Sequence, residues 1–127
     1  MEKHELKNIL RLHKKWINGE EGGERANLCG MRLQGIDLSG ADLRGAHLRR
    51  ANLDGASLRK ANLEGADLRK ASLVFADLRE ANLTGAAIKG ADFAIASLDQ
   101  AVFDGAIMPD GKVYDPMKRS VWDMVTK

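Results

Sequence analysis

From Ala26 to Gly105 an apolar side chain returns at every fifth residue with no break in register. The stretch GADLRGAHLRRANLDGASLRKANLEGADLRK, Gly40 to Lys70, shows the pattern at its most regular. The recurring centres, position i of each block, are Leu28, Leu33, Leu38, Leu43, Leu48, Leu53, Leu58, Leu63, Leu68, Leu73, Leu78, Leu83, Ile88, Phe93, Leu98 and Phe103. A helix turns about 100° per residue, so a spacing of five would scatter these side chains around its surface. A strand alternates in twos, so every second centre would face the wrong side. The chain must therefore turn once per block. A coil with one flat side per block satisfies this, with i and i−2 pointing inward and i−1, i+1 and i+2 outward. Position i−2 is Ala except at Met31 and Ile36, so fourteen of the sixteen blocks supply one large and one small inner residue. Gly recurs at i+2, which suits a position where the backbone turns sharply or takes a positive φ.

These blocks resemble the pentapeptide repeat family, whose consensus is close to A(D/N)LXX. The stretch HKKWINGEEGGERANL also looks like the leaders that precede the repeats in other members. The resemblance implies an all-β fold, a right-handed quadrilateral β-solenoid with four blocks to a coil. Sixteen blocks then make about four coils, stacked at the strand spacing of about 4.8 Å into a body roughly 20 Å tall. The expected organisation is a capping helix and linker over residues 1–25, the solenoid over 26–105, and a C-terminal cap or tail over 106–127.

Stacked repeats leave an apolar end at each terminus, which has to be covered. Before the repeat, Leu6, Ile9, Leu10, Trp16 and Ile17 fall on one helical stripe with His13 inside it. They predict an N-terminal helix from about Lys3 to Asn18, with Trp16 and the leucines laid over the first coil. Beyond the repeat, Pro109-Asp110-Gly111 reads as a turn, and Asp115-Pro116 as the start of a short last helix carrying Met117, Val121, Met124 and Val125, with Trp122 beside them. The family resemblance adds the expectation of a C-terminal homodimer, and Phe93 and Phe103 thicken the last coil.

Outward charge is distributed unevenly, although the chain as a whole carries only +2. The face built on Leu28, Leu48, Leu68 and Ile88 collects Arg49, Arg50, Arg69, Lys70 and Lys89 against Asp67. Such a stripe suits an acidic protein, an anionic surface or nucleic acid, or else keeps the rod solvated. The next face, built on Leu33, Leu53, Leu73 and Phe93, carries Val74, Phe75, Ala94 and Ile95 at outward positions. They form a candidate protein-binding patch, unless Phe75 lies flat and fills a corner.

No catalytic constellation is legible. His4 and His13 are more than two helical turns apart, His47 stands alone, and no Cys/His pattern has metal-ligand spacing. Neither a cofactor nor an enzyme activity is expected. Cys29 is the single cysteine, so no internal disulfide can form, which suits a reducing, cytoplasmic setting. The first residues are broken by charge and do not read as a signal peptide, and no membrane insertion is expected. The expected function is a non-enzymatic scaffold that binds a protein not identified by the sequence. The alternatives are protection of a type II topoisomerase, DNA gyrase, by duplex mimicry as some family members provide it, or anion and nucleic-acid binding through the basic face. Duplex mimicry fits poorly, because the chain is short, not strongly acidic and without a loop interrupting the blocks.

Overall fold

The computed structural model describes residues 2–113. The last-helix reading, with Met117, Val121, Trp122, Met124 and Val125, lies outside the described residues. An α-helix, α1 (Lys3–Ile17), precedes the repeat. Glu5 lies in its first turn and Lys14 and Lys15 in its last, the polarity the helix dipole favours.

From Asn27 onward each block bonds to the block twenty residues later. Parallel bridges run Asn27 to His47, His47 to Asp67 and Asp67 to Ala87, and in the same way on the other three sides. Four five-residue blocks therefore complete one coil, and the chain is a β-solenoid. Only one residue per block forms a bridge, at i−1, because the chain bends straight afterward. The residue at i donates to i−1 of the next coil (Leu48 N to Asp67 O, 2.7 Å), and i−1 donates back to i−2 of the coil before (Asp67 N to Ala46 O, 3.0 Å). A turn then closes from the next i−2 amide to the carbonyl at i (Ala51 N to Leu48 O, 3.1 Å). The turn puts its i+2 residue at positive φ in every block, as a type II turn requires.

The inner positions pack as large over small. All twelve leucines from Leu28 to Leu83 are 2% exposed or less, as is Ile88, and the alanines between them are buried except Ala41, which is partly buried. At the far end Phe93 and Phe103 meet edge to face with centroids 6.4 Å apart. The ladder continues one block past Gly105. Ala87 pairs with Ile107, Met108 is fully buried, and Gly111 closes the turn onto Met108 at 2.8 Å. Val113 then bridges Ile107 in the antiparallel sense.

Helix α1 packs against the opposite end. Leu6 is buried, and Ile9 and Leu10 lie partly buried against the core. Trp16 is less enclosed, 39% exposed, and stacks on His13 with centroids 5.3 Å apart. The Arg25 guanidinium sits 4.8 Å over the Trp16 ring and its Nε donates to Gly45 O at 2.6 Å. Ile17 is only half buried. Asn18 caps the helix backbone, and Glu24 donates to Leu12 O at 3.0 Å, which folds the leader back along α1.

Candidate binding faces

The outward positions are held by short local bonds. In the Asp-Leu-Arg blocks the aspartate at i−1 accepts the backbone N–H at i+1 and a two-pronged contact from the arginine there. Arg44 grips Asp42 at 2.9 and 2.7 Å, Arg69 grips Asp67 at 2.8 and 2.7 Å, and Arg79 grips Asp77 at 2.8 and 2.7 Å. These forks hold all three carboxyls below the usual carboxylate range and raise the arginines. Asp37 is also lowered, by hydrogen bonds from Ser39. A row of acids at i−1 is thus occupied in bending its own chain, as Asx turns do.

The fork changes the reading of the basic face. Arg69 is spoken for by Asp67, whereas Arg49, Arg50, Lys70 and Lys89 have no carboxylate at ion-pair distance among the described residues. All four stand at i+1 or i+2, on successive coils of one edge of the rod. The aliphatic stem of Lys70 lies beside Gly90 and that of Lys89 beside Gly111, so both side chains lie against the backbone of the next turn along the rod.

The neighbouring face carries the most exposed large apolar side chains of the repeat. Phe75 is 66% exposed and Ile95 is 70% exposed. Neither fills a corner. Both occupy the i+2 turn position, with φ of +62° and +58°. Nine of the sixteen blocks place glycine there. A β-branched isoleucine in left-handed backbone is strained, so the side chain is retained against a local cost. Val74 is half buried, and its amide is held by Asp54 Oδ1 from the preceding coil at 3.0 Å, while the same carboxylate accepts the Ser72 hydroxyl. Ala94 is exposed, its amide donating to Asp92 at 3.0 Å.

Other features offer less. Cys29 is exposed. Among the described residues no group of three His, Cys, Asp or Glu side chains is placed to hold a metal ion, and no helix is long and apolar enough to cross a membrane. A shallow groove beside α1 is lined by Lys7, Leu10, Arg11, Lys14 and residues 40–42. The residue whose part sequence reasoning missed is His13. It is completely buried and makes two backbone hydrogen bonds. Its place inside the apolar stripe of α1 was the available signal.

The family described as Pentapeptide repeats matches residues 24–59, 46–85, 56–94 and 81–110, eight copies in all. The chain is similar to HetL, a pentapeptide repeat protein involved in heterocyst differentiation regulation from the cyanobacterium Nostoc sp. strain PCC 7120. The two are 44% identical over 75% of this chain and 46% of that one, with a TM-score of 0.49. A second pentapeptide repeat protein of Nostoc is 35% identical over 76% of this chain and 71% of its own, with a TM-score of 0.40. QnrB1, a plasmid-mediated fluoroquinolone resistance protein, is 24% identical over 63% of this chain and 51% of its own, with a TM-score of 0.50. This chain thus spans under half the length of HetL. Comparison with curated protein sequences finds no match. With the five-residue blocks, the twenty-residue bridge period and the family pattern agreeing over most of its length, the chain belongs to the pentapeptide repeat family.

Proposed function

We propose that the protein is a non-enzymatic scaffold, a solenoid of about four coils with α1 as its N-terminal cap, that docks a partner protein on the Val74, Phe75, Ala94 and Ile95 face. The carrying observation is that Phe75 and Ile95 are 66% and 70% exposed at turn positions where their side chains cost backbone strain. Large apolar side chains held outward in that way suit burial against another protein. The adjoining edge of Arg49, Arg50, Lys70 and Lys89 favours an acidic partner surface and would speed encounter. The likeness to QnrB1 carries the fold, and a chain of net charge +2 is not strongly acidic as a duplex mimic would be, so protection of gyrase is the weaker reading.

Affinity capture tests the proposal with three baits: the intact chain, a Phe75→Ser/Ile95→Ser variant, and a variant with Arg49, Arg50, Arg69, Lys70 and Lys89 changed to Ser. A protein retained by the intact chain and lost from the first variant supports docking on the apolar face. Equal retention by the first variant overturns it. Loss from the basic-face variant alone moves the site to that edge, and salt titration then separates nucleic acid from protein, since phosphate contacts are released steeply by salt.

A further inference from the structure

One imidazole stands where the solenoid lacks a block. In a regular block the amide at i−2 donates to the carbonyl of the preceding centre, as Ala46 does to Leu43 O at 3.0 Å. The amide at i+2 donates to the i+1 carbonyl of the next coil, as Gly30 does to Arg49 O at 2.8 Å. Ala26 and Arg44 are the two places where residues 21–25 would have to supply those partners as a block of their own. His13 supplies both from α1. Its Nδ1 accepts the Ala26 N–H at 2.9 Å, and its Nε2 lies 2.9 Å from Arg44 O. Because Nδ1 faces an N–H, its lone pair must be free, so the ring is neutral and carries its one proton on Nε2 as the donor to Arg44 O. Among ionisable side chains, only a neutral imidazole offers one ring acceptor and one ring donor pointing apart in this way.

We propose that His13 is an acid-released latch: gain of a proton at Nδ1 removes the acceptor for Ala26 N–H, and α1 undocks from the first coil while the rest of the solenoid stays folded. A protonated ring presents two donors, and Nδ1–H would point at Ala26 N–H across 2.9 Å. The surroundings oppose that proton as well. Burial is the largest influence and pushes the ring below the ordinary histidine value. Arg25 from the leader and Arg44 from the fourth block act in the same direction, while the Arg44 carbonyl and Asp42 act against it. Asp42 is already gripped by Arg44 at 2.9 and 2.7 Å. On α1 itself the adjacent charge is Lys14, which is exposed. Undocking would uncover the first-coil end, where Met31, Ile36 and Ala41 are now partly buried. The body of the solenoid has no such dependence, since each of its blocks draws backbone partners from neighbouring coils.

The test follows the intact protein by NMR from about pH 7.5 to about pH 5, across the ordinary histidine range. The His13 ring nitrogens and the exchange protection of amides 26, 58 and 63 are read together. The expected result is an Nε2–H ring at neutral pH. Protection at Ala26 should then fall by about tenfold per pH unit once protonation of the displaced ring drives the opening, with Leu58 and Leu63 unchanged after correction for intrinsic exchange. A ring that titrates at the ordinary value with Ala26 still protected overturns the proposal. So does loss of protection at Leu58 and Leu63 together with Ala26, which would mean global unfolding. His13→Gln is the second arm. Gln keeps an acceptor and a donor but does not titrate, so its Ala26 protection should be flat with pH, and a wild-type pH profile in this variant also overturns the latch. Should the variant leave α1 undocked at neutral pH, the wild-type titration still decides.

Discussion

The amide of Phe75 donates to the carbonyl of Ala94 at 3.0 Å, and that bond sets Ile95 one coil beyond Phe75 at the same corner of the solenoid. Two large apolar side chains thus rise one above the other from left-handed backbone. The first prediction follows from the strain. Asn tolerates this conformation better than a β-branched residue, and an exposed Ile loses little burial. Ile95→Asn should therefore raise stability by about 0.5–1 kcal/mol, read as a higher urea midpoint with unchanged slope. A lower midpoint would mean that Ile95 is packing rather than presented.

Gly23 and Gly85 separate two reasons for glycine. A Cβ on Gly85 meets nothing within 4 Å, so Gly85→Ala should cost only the positive-φ penalty, about 1 kcal/mol. A Cβ on Gly23 falls on the α1 backbone, 2.7 Å from Trp16 Cα and from the Lys15 carbonyl carbon. Gly23→Ala should push the leader off α1, destabilise by about 1–3 kcal/mol, and red-shift Trp16 emission in a Trp122→Phe background. Equal effects of the two substitutions would show that α1 is not held by the leader.

In the interior the inner pair at Ala61 and Leu63 is closed from both sides, at 1% and 0% exposure. Leu63→Ala should cost about 2–5 kcal/mol by leaving a cavity. Ala61→Leu should cost about 1–3 kcal/mol by overpacking, although it adds apolar surface. Chemical denaturation measures both, and a neutral Ala61→Leu would show slack in the axis.

Asp42, Asp67 and Asp77 predict an acid limb distinct from that of His13. Their folded-state values lie below the usual carboxylate value, chiefly through the arginine forks. The unfolded chain takes up protons first as pH falls, so this contribution is complete above the unfolded carboxylate value, about pH 4, and is lost as pH falls through the folded values beneath it. His13 is lowered from the histidine value, so its share is complete above about pH 6.5 and is lost below that. Thermal midpoints against pH should show both limbs. Changing Asp67 and Asp77 to asparagine should shrink the lower limb and leave the upper one, since of the three aspartates only Asp42 acts on His13, and a change in the upper limb would contradict this assignment.

How much was legible differs between parts of the chain. The apolar residue every five positions, from Leu28 to Phe103, determined a coil of stacked turning blocks by itself, because no regular element can bury that period and such blocks can, while the β-solenoid with four blocks to a coil came from the family resemblance. The stripe Leu6, Ile9 and Leu10 marked α1 on the same grounds, as a 3.6-residue period. The faces were legible as positions only. That Arg69 is neutralised by Asp67 while Lys70 is not, and that Phe75 stands clear of the corner, depends on side-chain direction, which a five-residue period does not encode. The role of His13 lay furthest from the sequence. Its partners Ala26 and Arg44 are thirteen and thirty-one residues away, and nothing local distinguishes a histidine in an apolar stripe from one that completes a missing block. Local spacing decided which side chains go inward. Only the tertiary structure, by leaving an amide and a carbonyl unpaired at the end of a stack, decided which imidazole they would meet.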